Sequence, residues 1–326
     1  MKITDIEAIA VAWPAPEQAF WTSLRPIGAV SELVVRVHTD QGLVGIGEAR
    51  GSGMGFPGLY RRDADGKIQA EGASRLVVEV LKPLLVGQDP LDNEGLWDLM
   101  FGLTFQRGWA TQGWVRPQLM TAIAGVDIAL WDIKGKAAGM PVYKLLGGVS
   151  KKVPCYVTGG YYQEGKGISE LVQECETYVD MGYSAIKLKI GGVGVEEDAA
   201  RIQAVREALG AGVDLMLDVN EGYDVDTAIR AAHLLEPLGI RWLEEPVHWY
   251  DNVEGLAQVA ATTSIPIASG EGAVHRWHAR DLIQRGGIKV MQFDCTRTVG
   301  ITECLKVAGF CAMQNVRLAP HHDPQI

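Results

Sequence analysis

The chain has 326 residues, 47% of them hydrophobic, with 30 basic against 40 acidic side chains and a formal net charge of −10. That length fits one large barrel with a smaller companion domain, and the charge argues against a nucleic-acid partner. No run approaches the apolar length of a membrane span, Met1-Lys2-Ile3-Thr4-Asp5 is no signal sequence, and the five cysteines lack CxxC spacing; a cytoplasmic protein with reduced thiols and no membrane partner is expected.

Residues 1–125 read as a mixed α+β domain. Leu33-Val34-Val35-Arg36-Val37-His38-Thr39 alternates, turns at Asp40-Gln41-Gly42 and resumes at Leu43-Val44-Gly45-Ile46-Gly47, which predicts a hairpin. Residues 51 to 67 hold no periodic apolar face and are expected to form a mobile loop. Helical spacing follows over 70–86 and 91–103, and Ala122 to Asp132 predicts a helix whose small residues suit close packing. Asp127 and Asp132 within it are given structural roles, and so are His38 and His233.

Residues 126–326 read as a barrel domain. From residue 151, strand-like runs begin near 153, 184, 213, 240, 265, 288 and 316, with helical runs near 168–181, 195–208, 224–236, 253–262, 274–284 and 299–311. Strands alternating with helices imply a parallel sheet, and seven of them favour a barrel over an open sheet. An eighth strand is not found before Ile326, so the chain is expected to be cut short of the natural one, because an open edge is a liability.

Ala185-Ile186-Lys187-Leu188-Lys189-Ile190 organises this half. In a strand Lys187 and Lys189 point the same way, and two ammonium groups in a core strand are costly unless something nearby needs them. Further on, Asp218, Glu244, Glu271, Asp294 and His321 end successive short apolar runs, at intervals of 23 to 29 residues from Lys189 onward. That is one βα unit each time, and it places all of these side chains on the rim where barrel active sites sit.

With Ala-Gly-Val-Asp-Ile-Ala-Leu-Trp-Asp (124–132), Lys-Leu-Lys (187–189), Asp-Val-Asn (218–220), Glu-Glu-Pro (244–246), Gly-Glu (270–271), Asp294 and Pro-His (320–321) in this order, the chain resembles the enolase superfamily, and within it the mandelate racemase-like group. The resemblance covers nearly the whole length. It implies an N-terminal α+β capping domain followed by a modified (β/α)7β TIM-type barrel, with the eighth strand and the C-terminal cap segment absent from this chain. It also implies a homo-oligomer.

Three convergent carboxylates repel unless a cation holds them, and an all-oxygen set of Asp218, Glu244 and Glu271 suits Mg²⁺. The resemblance assigns the ligand role to the same three. Alternation points Glu245 away from the lumen, whereas Asn220, two residues past Asp218, would support substrate or metal. Lys189 is the candidate base, and the like charge of Lys187 beside it is expected to lower its pKa towards neutrality. Such a pairing of a lysine base with Mg²⁺ is a general feature of enolase-superfamily sites. An Asp holding an imidazole fixes its tautomer, so Asp294 and His321 form a second acid/base, with His322 as the alternative; Pro320 favours His321 by resemblance. His275, four residues past Glu271, and Tyr161 are candidate substrate contacts. Tyr162, His248, the His275/His278 pair, Trp21, Arg25, Arg61 and Arg62 are weaker ones.

This kit abstracts a proton α to a carboxylate and stabilises the resulting enediolate. Phe293-Asp294-Cys295 stands where the cycloisomerase and dipeptide-epimerase branches carry a lysine, which the resemblance reads as the His–Asp branch of sugar-acid dehydratases. Loss of a β-hydroxyl would then give a 2-keto-3-deoxy acid from a sugar-acid substrate. The alternatives are racemisation or epimerisation of a 2-hydroxy acid by the same intermediate, or a non-catalytic relative that binds carboxylated sugars.

Overall fold

Alternation of apolar and polar side chains builds the first half of the chain around an antiparallel sheet. The computed structural model describes every residue except 14–16, 25, 28–29, 51–59, 63–67, 71, 106–115, 150–151, 298 and 322–326. Strands β1 (Ile3–Trp13), β2 (Phe20–Trp21), β3 (Pro26–Ile27), β4 (Val30–Thr39) and β5 (Val44–Arg50) come first, then β6 (Tyr60–Arg62) and β7 (Ile68–Ala70) as a separate pair. The sheet order is β1-β4-β5, and β4–β5 is the expected hairpin. Leu33, Val35 and Val37 face inward and are fully buried. Helical turns Gly72–Leu76, Val77–Leu81 and Lys82–Leu85 and the helix Asn93–Gly102 match the two predicted helical stretches.

The long helix Arg116–Ala137 closes this core, burying Leu119, Met120, Ile123, Val126, Leu130 and Ile133. It lies directly on β5. A Cβ at Gly47 would stand 2.0 Å from the Gly125 carbonyl oxygen, and one at Gly45 would stand 2.1 Å from that of Ala129. Side chains at those positions would hold helix and strand apart. The helix runs through residues 125 and 126, where the sequence pattern divides the chain, and its second half still packs in the first core.

The second half is a curled, all-parallel sheet. Its strands are β8 (Val157–Gly159), β10 (Ala185–Lys189), β11 (Asp214–Asp218), β12 (Leu243–Glu244), β13 (Ile267–Ser269), β14 (Val290–Met291) and β15 (Arg317–Leu318), in that spatial order. Helices Ile168–Asp180, Val195–Leu209, Val225–Leu235, Glu254–Thr262, Arg276–Gln284 and Ile301–Met313 cover the outside. Alternation sorts each strand: Ile186, Leu188, Leu215, Leu217 and Leu243 pack outward with the helices, while Met216, Trp242, Ala268 and Val290 form a small inner cluster. Lys187, Lys189, Asp218 and Glu244 belong to the inward set.

Strand β9 (Tyr162–Gln163) pairs antiparallel with β2, Trp21 opposite Tyr162, so the 20s segment is tied across the barrel mouth. There Ser23 Oγ donates to the Val219 carbonyl at 2.5 Å. Arg25, His322 and segments 51–59 and 63–67 of the expected loop lie outside the described residues; of Arg61 and Arg62 only the backbone strand is described.

Candidate active site

Parallel register sets Lys189, Asp218 and Glu244 at one height, with Lys187 one inward position below, opposite Met216. Lys189 pairs with Asp218 across β10 and β11, and Asp218 with Glu244 across β11 and β12. All four side chains are buried and answer one another in charge. Lys189 Nζ donates to Asp218 Oδ2 at 2.5 Å; Lys187 Nζ lies 3.4 Å from the same oxygen and donates to Glu244 Oε1 at 2.5 Å. Glu244 Oε2 accepts from Trp242 Nε1 and Gln292 Nε2. Three donors on one buried carboxylate favour its ionised form, but burial and the Asp218 charge outweigh them and raise its pKa above the usual carboxylate value.

The lysine expectation needs a correction. Burial pushes the Lys189 ammonium towards deprotonation, but Asp218, with Tyr161 and Glu244 behind it, outweighs burial and the repulsion of Lys187 together, and the Lys189 pKa stands above the ordinary lysine value. Asp218 is correspondingly held below the usual carboxylate range, burial being outweighed by Lys189 and Lys187. The sequence places Asp218 on the same rim but does not show that it meets the Lys189 ammonium directly.

Glu271, three residues past the Ala268 that pairs with Glu244, meets a second set of basic side chains. Arg297 Nη1 donates to Oε1 at 2.8 Å, and His321 Nε2 lies 3.2 Å from Oε2. Burial alone would raise this carboxyl, but His321, Arg297 and Arg50 hold it well below the usual range. His321 Nδ1 stands 3.0 Å from Asp294 Oδ2, which forms the expected pair. The Thr296 backbone N–H and hydroxyl both donate to Asp294 Oδ1, at 2.8 and 2.7 Å. Despite complete burial these donors and the neighbouring charges keep Asp294 ionised.

Asn220 is where the sequence places it. Positive φ at Asn220 (48°) and Glu221 (63°) folds the chain back after β11, so the Asn220 N–H donates to Asp218 Oδ1 at 2.9 Å. Its own Oδ1 is buried with no hydrogen-bond partner. Glu245 departs from alternation, because β12 is only two residues long and φ at Glu245 is 40°. Its side chain is buried, and it lines a cavity of about 90 Å³ with Thr22, Asn220, Glu221, Glu271 and Arg297. Burial and the Glu271 charge push Glu221 up to about 7.

The Tyr161 ring lies 5.4 Å from Lys189 Nζ, within reach of that ammonium. His275 is spent elsewhere: its Nδ1 accepts the His278 N–H at 3.1 Å and so caps the helix Arg276–Gln284. His278 faces Asn252, and His248 caps the short turn Trp249–Asp251 with its ring on Tyr250. Trp21 stacks on Tyr162, whose hydroxyl donates to Asp198. Gln292, Thr296, Arg297 and Arg50 escape the sequence pattern. Only their spacing of two residues from Asp294 would have pointed to Gln292 and Thr296.

By donor type the set fits a hard divalent cation: three buried carboxylates from consecutive strands, with the unpartnered Asn220 Oδ1 as a further oxygen. As the side chains stand, lysines, Arg297 and His321 answer those carboxylates, and among the described residues no three acidic or imidazole groups form a metal cage.

The chain's similarities agree with this layout. Residues 4–147 match the family model of the mandelate racemase/muconate lactonizing enzyme N-terminal domain, and residues 170–325 match that of the enolase C-terminal domain-like fold. An arabinonate dehydratase from Saccharolobus solfataricus is 35% identical over 290 residues, covering 89% of this chain and 72% of its own. A D-galactonate dehydratase from Verminephrobacter eiseniae is 35% identical over 89% of this chain and 71% of its own. Among solved structures, a mandelate racemase/muconate lactonizing enzyme superposes with a TM-score of 0.85 at 32% identity, over 100% of this chain and 82% of that one. A racemase from Streptomyces coelicolor A3(2) with bound magnesium gives 0.84 at 28% identity, over 98% and 84%. The chain therefore belongs to the mandelate racemase/muconate lactonizing enzyme family of the enolase superfamily.

Proposed function

We propose that this chain is a Mg²⁺-dependent lyase that converts a sugar acid to a 2-keto-3-deoxy acid. One observation carries the reading. Lys189 on β10 and His321 after β15 stand on either side of the strands that bear Asp218, Glu244 and Glu271. A carbon acid held between them meets a proton-handling group from each side. The dehydratase relatives support sugar acids as substrates. Asp218, Glu244 and Glu271 would hold the metal, which when bound supplies Lewis-acid stabilisation of the enediolate.

Lys187 and Asn220 orient the substrate carboxylate and its neighbouring hydroxyl. One of the two bases, chosen by the configuration at C2, takes the α-proton, and the C–H electrons enter the enediolate. Lys189 serves as base only after giving up its bond to Asp218, which otherwise keeps it protonated. As the enediolate collapses, the C3–O bond breaks, and protonated His321 delivers its Nε2 proton so that water leaves. Asp294 stabilises the imidazolium throughout. The enol product then becomes the keto acid.

The test is an assay of aldonates and aldarates for 2-keto acid with Mg²⁺ present. Turnover should vanish on chelation and return with Mg²⁺. Lys189→Met and His321→Asn should each lose about 10²–10⁴-fold in kcat. α-Proton exchange in D₂O without keto acid would move the reading to racemisation or epimerisation. Silence in both assays over the whole library would overturn it.

A further inference from the structure

Asp294 is a fully buried carboxylate held on both oxygens. Thr296 saturates Oδ1 with two donors, while Oδ2 faces His321 Nδ1 at 3.0 Å. The remaining contact on Oδ2 comes from the other domain. Arg50, the last residue of β5, donates from Nη1 to Asp294 Oδ2 at 3.1 Å, and the same nitrogen lies 3.0 Å from His321 Nδ1. Its backbone N–H also donates to the Thr296 carbonyl, at 3.3 Å. The Arg50 side chain is 5% exposed and that of Asp294 is 0%. A carboxylate so buried is costly unless a charge and directed hydrogen bonds compensate it, so this guanidinium is part of what keeps Asp294 ionised.

Proton bookkeeping makes the contact more specific. Only one hydrogen fits between Nδ1 and Oδ2. If Nδ1 carries it, the imidazole donates to Asp294 and the guanidinium donates only to the carboxylate. If Nδ1 is bare, it can accept from Arg50, and the proton sits on Nε2 facing Glu271. The geometry therefore lets Arg50 bear on which nitrogen of His321 holds the proton as well as on where the ring points. The cap grips the same barrel loop elsewhere. Trp97 Nε1 donates to the Val299 carbonyl at 2.8 Å, and the Val299 side chain is buried in the cap core at φ 56°. For a β-branched residue that backbone is strained, and it persists only where the surroundings enforce it.

We propose that Arg50 is a positioning residue supplied by the capping domain, which orients Asp294 and through it His321. The inference rests on the proposed role of His321 as acid/base. It makes the cap a working part of the proton-transfer machinery, so that the acid/base is aligned only when cap and barrel are docked.

The experiment compares wild type with Arg50→Met and Arg50→Lys on a substrate that the wild type turns over. Arg50→Met should lose about 10–100-fold in kcat with KM changed less than threefold, and millimolar methylguanidinium should restore part of the loss. Arg50→Lys should lie between the two, since an ammonium keeps the charge but not the planar fork. Nitrogen-15 NMR of histidine-labelled protein should show the His321 resonances redistributed between tautomers in Arg50→Met. A folded Arg50→Met with unchanged kcat and unchanged His321 resonances overturns the proposal. If that variant does not fold, Arg50→Lys decides: wild-type kcat and resonances in it overturn the proposal equally. If no substrate is turned over even by wild type, the functional reading fails, while the NMR comparison still judges Arg50.

Discussion

Asp127 belongs to the long helix of the cap, yet its hydrogen bonds serve a helix of the barrel. Thr302 donates to it from both backbone N–H and hydroxyl, at 2.9 and 2.6 Å, so the side chain caps Ile301–Met313 from another domain. Burial pushes its pKa from 3.8 up to about 7, against the pull of those donors. A raised native pKa means the folded state binds more protons than the unfolded one between those two values. Stability from this group is thus fullest below pH 4 and falls as pH rises towards 7. Urea unfolding of wild type and Asp127→Asn from pH 4.5 to 7.5 should show the wild type losing ground to the variant by on the order of 1–3 kcal/mol. A constant difference over that range would refute the assignment. At this scale Lys187, Lys189, Asp218, Glu244, Asp294 and His321 are legible because each ends, or nearly ends, a strand of known period. Arg50 is not legible, since nothing local to Gly47-Glu48-Ala49-Arg50 says which loop of the other domain will meet it. Glu245 misleads because alternation stops with its two-residue strand.

The elements themselves follow the sequence closely: barrel helices begin and end within about two residues of the periodic runs, whereas strands are shorter than the apolar runs that announce them. The excess lies in turns that still point inward, as Gln292 and Asp294 do after β14. What periodicity does not reveal is how closely elements approach. Gly45 and Gly47 look like weak points in a strand, but they are the reason the helix Arg116–Ala137 can rest on β5. Gly47→Ala would set a methyl against helix backbone, which cannot rotate aside, and should cost about 3 kcal/mol or more. Gly102→Ala is the control: nothing lies within 4 Å of the added carbon at the end of the helix Asn93–Gly102. It should be neutral or gain up to about 1 kcal/mol from helix propensity. Urea midpoints of the two variants decide this, and equal effects would mean that helix and strand are not in close contact.

Among the described residues the two large hydrophobic cores lie one in each half, but the cap core reaches into the other half through Val299. Trp97 holds the Val299 carbonyl, Asp127 and Trp131 hold Thr302, and Arg50 holds Asp294. All of these contacts fall on the segment between the β14 exit and the start of Ile301–Met313. Unfolding the cap would strand a buried carboxylate, an uncapped helix and an exposed Val299, so neither half should melt without the other. Scanning calorimetry without metal should therefore show one transition. Mg²⁺ held by Asp218, Glu244 and Glu271 would add about 2.7 kcal/mol at a hundredfold excess over its Kd, and should carry that whole transition upward by a few degrees. Asp218→Asn should abolish the shift without splitting the peak. Two separate transitions, of which only the later one responds to Mg²⁺, would show that the interdomain contacts do not couple the halves, and would remove the ground for assigning the cap any part in aligning His321.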